Sequence, residues 1–388
     1  MNESKMENEE NKKPSKNAKK NKKKHEKRKK KKELEAALNE IVYCDLIKKK
    51  EMNTNLINLK SFPSGNIVAT FDKYIIIYDI DFKEIQKIEN AHEDLIHYVD
   101  IKDENNFVTC SDDLNIKTWI KTNGKYQLNK IIKKAHSNFM NNVKYYKDKQ
   151  LISCGYDGSV KIWGEKEDGY EIMTIWKTKY FGIKVEEWDD EYMSDANKIK
   201  RFYLIKDKNR LIFFKGDAIY ILNLKTFKYI KAYYGIGYLT ISYMKRISKN
   251  LFAIGYAWGW DNTGRIVVLS LFEDRIIKDM KTPFRCYGML ALQDKKLLII
   301  GGENDIMIVK TTNFECIRTI KLAHLKAISY IKLLKNGLIA SFSRDHILKI
   351  WSLEGLIYKK DEKNNNHNNS IFLIEDPIIN EIIPFKFN

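Results

Sequence analysis

Residues 135–163 read AHSNFMNNVKYYKDKQLISCGYDGSVKIW. His136 precedes Trp163 by 27 positions, Asp157 stands six before the tryptophan, and Ser153 stands ten before it. The same intervals recur twice: His92, Thr109, Asp113 and Trp119 form one set, and His324, Ser341, Asp345 and Trp351 form another. Each histidine also follows an alanine, Ala91, Ala135 or Ala323. A fixed internal period marks a repeat array, in which each unit buries its apolar face against its neighbours. Between the anchors lie short apolar runs such as Phe107-Val108, Leu151-Ile152 and Leu338-Ile339, then Ile116, Val160 to Ile162 and Ile347 to Ile350. Runs this short, separated by turn residues, predict several strands per unit.

The four recurring residue types can satisfy one another. A buried indole N–H needs an acceptor, a hydroxyl can accept that bond while donating to imidazole, and a carboxylate can take the ring's other N–H. This constellation resembles the WD40 repeat family, whose members form β-propellers of four-stranded blades around a central axis. The resemblance implies structural tetrads at His92, Thr109, Asp113 and Trp119, at His136, Ser153, Asp157 and Trp163, and at His324, Ser341, Asp345 and Trp351. Two family features differ: Ile120, Gly164 and Ser352 follow the tryptophans where the family has Asp, and Ala precedes each histidine in place of Gly. Neither position belongs to the hydrogen-bonded chain. The series of strand ends continues through Tyr78, Leu222, Leu269 and Val309 at roughly 40 to 60 residues per step. The expected fold is therefore all-β, a seven-bladed WD40-type propeller over about residues 41–360.

The flanks read differently. Residues 1–33 carry 15 Lys and Arg against 6 Glu, half of the chain's net charge of +18. So charged and apolar-poor a segment cannot offset its chain entropy by burial and is expected to be disordered. Leu34, Leu38 and Ile41 at helical spacing predict a short helix over 34–40. Leu356-Ile357-Tyr358 fits an outer strand, and residues 361–388 form an Asn-rich loop followed by an apolar segment. Either Ile41 to Ile47 or that final segment is expected to close the ring, which removes the unpaired edge of an open array.

Several function classes drop out. The longest apolar runs, such as Leu297 to Ile300, fall far short of the ~18 residues of a membrane-spanning helix, and no secretory signal opens the chain. Five cysteines without a CxxC pair point to reduced thiols, with no disulfide, metal or other cofactor expected. Phosphate-binding loops and HExxH are absent. Ser153, His136 and Asp157 contain the residue types of a hydrolase triad, but a trio recurring three times beside a buried Trp reads as structural. The expectation is a non-enzymatic scaffold for proteins or peptides, monomeric as a ring, nuclear, nucleolar or cytoplasmic.

The resemblance places the partner-binding upper face at Asp112, Tyr156 and Arg344, just before the turn Asp, and at Leu95, His97, Phe139, Asn141, Ala327 and Ser329, three and five residues after each His. Trp258 and Trp260, in the second connection of the fifth blade, are candidates for the same face, since exposed indoles favour partners. An acidic aromatic insertion, Glu186 to Asp195, has the opposite sign to the Lys12–Lys32 run, which fits an import signal or an arm that neutralises RNA phosphates. A ribosome-assembly type of RNA-associated factor is thus one alternative, and a ubiquitin-ligase substrate receptor, lacking a recognisable adaptor domain, is another.

Overall fold

The computed structural model describes residues 28–29, 32, 46–52, 56–177, 198–215, 218–233, 241–256, 263–273 and 275–357. Seven antiparallel four-stranded sheets follow one another along the chain. Blade 1 runs from Asn58 to Ile88, blade 2 from Ile96 to Ile132, blade 3 from Met140 to Lys177 and blade 4 from Ile199 to Tyr233. Blades 5 and 6 run from Ile241 to Thr282 and from Gly288 to Ile320. Blade 7 takes three strands between Tyr330 and Trp351, and its fourth from the other end of the chain, Leu46–Glu51. The seven-bladed expectation is met.

Closure is thereby settled. Leu46–Glu51 pairs antiparallel with Ile347–Trp351, aligning Lys50 with Leu348 and Glu51 with Ile347. The expected outer strand at Leu356 to Tyr358 is corrected: Leu353–Ile357 is a five-residue helix. Its Leu356 is fully buried against Ile320, Ala323 and Trp351, and its carbonyl accepts from Arg318. Because the edge of blade 7 is already occupied, the chain turns to seal the seam with blade 6. The tail beyond 357, the 34–40 helix, the acidic insertion and Trp258 and Trp260 lie outside the described residues; Arg28, Lys29 and Lys32 have helical backbone.

Cores sit between blades. Seven apolar clusters join successive neighbours, for example Cys154 and Ile162 of blade 3 with Phe202 and Phe213 of blade 4, or Phe71 and Tyr78 of blade 1 with Phe342 and Ile350 of blade 7. Central strands are buried on both faces and read as continuous apolar runs, whereas outer strands such as Glu84–Ile88 alternate. Every blade carries a register irregularity between third and outer strands at one equivalent position: Trp119, Trp163 and Trp351 in the tetrad blades, Tyr78, Leu222, Leu269 and Val309 in the others. A bulge there increases local twist, so the outer strands turn at the same level all round the ring.

The closing strand makes a direct test possible. Glu51 and Ile347 face each other across the seam, and Cβ atoms of directly opposed antiparallel residues lie about 4.5–5.5 Å apart. Glu51→Cys with Ile347→Cys should form a disulfide on mild oxidation, read by peptide mapping, and stabilise the chain by about 2–4 kcal/mol. Failure to cross-link would place Leu46–Glu51 elsewhere.

Candidate functional site

The three tetrads form as hydrogen-bonded chains. Trp119 Nε1 donates to Thr109 Oγ1 at 2.9 Å, Trp163 Nε1 to Ser153 Oγ at 2.9 Å, and Trp351 Nε1 to Ser341 Oγ at 2.8 Å. Each hydroxyl lies 2.7 Å from Nε2 of His92, His136 or His324. Having accepted from indole, the hydroxyl donates to Nε2, so the imidazole proton sits on Nδ1 and is donated to Asp113, Asp157 or Asp345, 2.7 to 3.2 Å away. All twelve tetrad residues are thus joined by nine hydrogen bonds that run in one direction.

Charge follows from that direction. Burial lowers the pKa of all three histidines, against the opposing pull of their aspartates, so the imidazoles are neutral at pH 7. Burial alone would raise the carboxyls, yet the imidazole and backbone N–H groups outweigh it. Asp113 and Asp345 are held at about 2, and Asp157 falls well below the usual carboxylate range. The backbone donors are Glu93 and Asn115 for Asp113, and Leu325 and Ile347 for Asp345. Just after each aspartate the chain turns through positive φ, at Leu114 (66°), Gly158 (68°) and His346 (64°). Only blade 3 supplies the glycine that this conformation favours.

A fifth member was missed by sequence reasoning. Lys117, Lys161 and Lys349 stand two residues before the three tryptophans and donate to the carbonyls of Ala91, Ala135 and Ala323, at 2.8, 2.6 and 2.6 Å. Burial lowers the pKa of Lys161, and takes Lys349 down to about 8. The signal was present, since the equivalent residues of the other four blades are Ile76, Tyr220, Val267 and Met307. In those blades the hydroxyl is replaced by Ala69, Phe213, Ile254 or Ile300, all buried. The tryptophan, hydroxyl and lysine are lost in all four, although blade 1 keeps Asp72 six residues before Tyr78, and apolar packing takes the place of the clamp.

Above the clamps, the two sets of upper-face positions come together pairwise. Asp112 N donates to Leu95 O at 3.0 Å, Tyr156 N to Phe139 O at 2.8 Å, and Arg344 N to Ala327 O at 3.0 Å. Side chains differ by blade. His97 Nε2 bonds Asp112 at 2.7 Å, Phe139 meets Tyr156 edge-on with centroids 6.3 Å apart, and the Arg344 guanidinium lies 5.9 Å from the Tyr287 ring. Phe139 and Arg344 are exposed; Leu95, His97, Asn141, Tyr156, Ala327 and Ser329 are half-buried. Ser153 is fully buried beneath this layer with its hydroxyl hydrogen committed to His136, which removes it from any substrate's reach. Cys110 and Cys154 are equally buried, with burial pushing both thiols up. The described cysteines Cys110, Cys154, Cys286 and Cys316 carry free thiols. Among the described residues no helix is long and apolar enough to cross a membrane.

Residues 128–164 match the family model described as WD domain, G-beta repeat. The match begins in the outer strand of blade 2 and ends just past Trp163, so the sequence repeat is offset from the blade by one strand. That offset is the one closed at the ring's seam by Leu46–Glu51. One WD-domain repeat is thus matched at residues 128–164, within a chain that folds as a seven-bladed propeller and forms three such tetrads.

Two measurements probe the clamps. Trp163→Phe removes the donor to Ser153 and should cost about 1–3 kcal/mol in urea unfolding. Adding Ser153→Ala should cost less than its own single effect, because the two share one chain. Acid should also weaken the fold. The unfolded histidines take up protons as pH falls through about 6.5 while the buried ones resist, so stability fully present above pH 7.5 should decline as pH falls below 6.5. The carboxylates add a second loss from about 4 down through about 2. Equal unfolding midpoints at pH 7.5 and 5.5 would contradict neutral buried imidazoles.

Proposed function

We propose that this propeller is a non-enzymatic scaffold whose upper face docks a protein or peptide. The observation that carries the reading is the arrangement around Phe139, Tyr156 and Arg344. Aromatic and guanidinium side chains stand on loops fixed from below by the tetrads and tied to each other by backbone hydrogen bonds. Pre-organised aromatic and Arg side chains are the common anchors of binding hot spots, because little conformational freedom is lost on docking. Catalysis by the Ser–His–Asp sets has no support, since each hydroxyl is buried and saturated.

The lysine run at Lys12–Lys32 supports a separable second role, contact with RNA or nuclear import, because residues 1–33, which contain it, carry half the net charge. Tyr156→Ala and Arg344→Ala, in chains purified with their partners, test the first role. Unfolding midpoints should stay within about 0.5 kcal/mol of the parent. Affinity for the co-purified partner should fall about 30-fold for either change if it is a hot spot. Undiminished partner recovery from both variants would move docking off this face.

A further inference from the structure

We propose that the central channel binds a small, soluble, multiply phosphorylated anion, held by a ring of four lysines. The inner strands of all seven blades line a cavity of about 590 Å³, inside the ~300–1,000 Å³ range of small-molecule sites. Strand register fixes which residues share a level. Lys60 faces Val68, Lys144 faces Ile152, Lys245 faces Ala253 and Lys332 faces Ala340. Each of those partners comes one residue before the tetrad hydroxyl or its apolar replacement. The remaining blades put Asp100, Tyr203 and Leu290 at that same level. No linear motif unites these positions, yet the ring sets four lysine side chains around one cavity.

The charges are unevenly answered. Asp100 pairs with Lys60 and accepts from the backbone N–H of Tyr145 at 3.0 Å, so the level's one carboxylate is already engaged between blades 1, 2 and 3. Among the described residues, Lys144 has only aromatic rings beside it, those of Tyr98, Phe202 and Tyr203 at 5.6–5.9 Å, and Lys332 has no hydrogen-bond or ion-pair partner. Burial, then the charges of Lys60 and Lys245, push Lys332 well below the ordinary lysine range. An anion among these groups would reverse that. Immediately above, the hydroxyl of Tyr330 donates to Leu59 O, and that of Tyr243 reaches Ser329 O at 2.7 Å, bracing the wall. Phosphate fits this geometry better than an acidic strand. Lysines converge on a single level from several directions, whereas an extended peptide carries its carboxylates along a line. A phosphate group brings up to two charges and three acceptor oxygens to one point, and Lys is a point-charge donor to it.

This inference is independent of the docking face. Titration calorimetry on the full chain with myo-inositol hexakisphosphate as probe tests it. One site per chain is expected, weakened about tenfold by Lys144→Gln or Lys332→Gln, about 100-fold by both, and retained by the Arg replacements. A full-length variant with residues 27–32 changed to Gln should bind as the parent does, separating the channel from the basic tail. If the double variant does not fold, acetylation footprinting of the parent gives the answer: the probe should protect Lys144 and Lys332. Four results would overturn the proposal. These are unchanged affinity in the folded double variant, loss of binding with the tail replacement alone, no protection of either lysine, or capture of the acidic 186–195 peptide or phosphoinositide vesicles by the channel lysines in place of the soluble probe.

Discussion

The structure depends on a buried indole N–H that must find an acceptor. In a low-dielectric interior an unpaired donor costs as much as several good contacts return, so the buried indole is kept only where a hydroxyl, an imidazole and a carboxylate answer it. Blades 2, 3 and 7 keep the whole chain, with the lysine that caps the neighbouring alanine carbonyl. Blades 1, 4, 5 and 6 keep none of its tryptophan or hydroxyl positions. The clamped blades 7 and 2 flank blade 1, so polar locking gathers on the half of the ring where the amino-terminal strand closes the seam. Apolar interblade packing holds the other half.

That division explains what could be read from the sequence. A tetrad leaves a fixed spacing because four polar groups must meet at hydrogen-bond distance, and only one set of loop lengths permits it. The unclamped blades show only strand periodicity, yet their bulges fall at Tyr78, Leu222, Leu269 and Val309 as the series suggested. The closing strand was legible only as one of two alternatives, Ile41 to Ile47 or the final segment, and the observed Leu46–Glu51 overlaps the first. LIKKKE has no alternation of its own; its conformation is imposed by the free edge of Ile347–Trp351. Leu356 carried the opposite trap, since an apolar triplet near the end reads as a strand until the edge it would occupy is seen to be filled.

The upper-face positions were legible as places but not as contacts. Counting from the histidines locates Leu95, Phe139 and Ala327, while the ladder hydrogen bonds from Asp112, Tyr156 and Arg344 that hold them follow from the fold. Their burial differs because each blade fills the same slot with different chemistry. A hydrogen-bonded His–Asp pair occupies blade 2, an aromatic pair blade 3 and a guanidinium over Tyr287 blade 7. A rigid frame with variable fittings suits the docking role proposed for this face, since a fixed frame limits the entropy lost on binding.

The channel illustrates how a closed ring creates chemistry that no local pattern announces. One residue per blade faces the axis at each level, so neighbours in space are separated by a whole repeat in sequence. Symmetry is then broken by small residues. Gly288 of blade 6 faces the first strand of blade 7 so closely that a Cβ there would lie 2.9 Å from Ile328 O. With no side chain in that slot, Tyr243 of blade 5 extends past blade 6 to the Ser329 carbonyl of blade 7. Blade 6 adds only Leu290 to the lysine level, and blade 4 only Tyr203. The lysine wall is therefore built by blades 7, 1, 3 and 5 on a ring whose remaining positions are a paired carboxylate, a phenol and an aliphatic side chain, so lysines outnumber carboxylates four to one at this level.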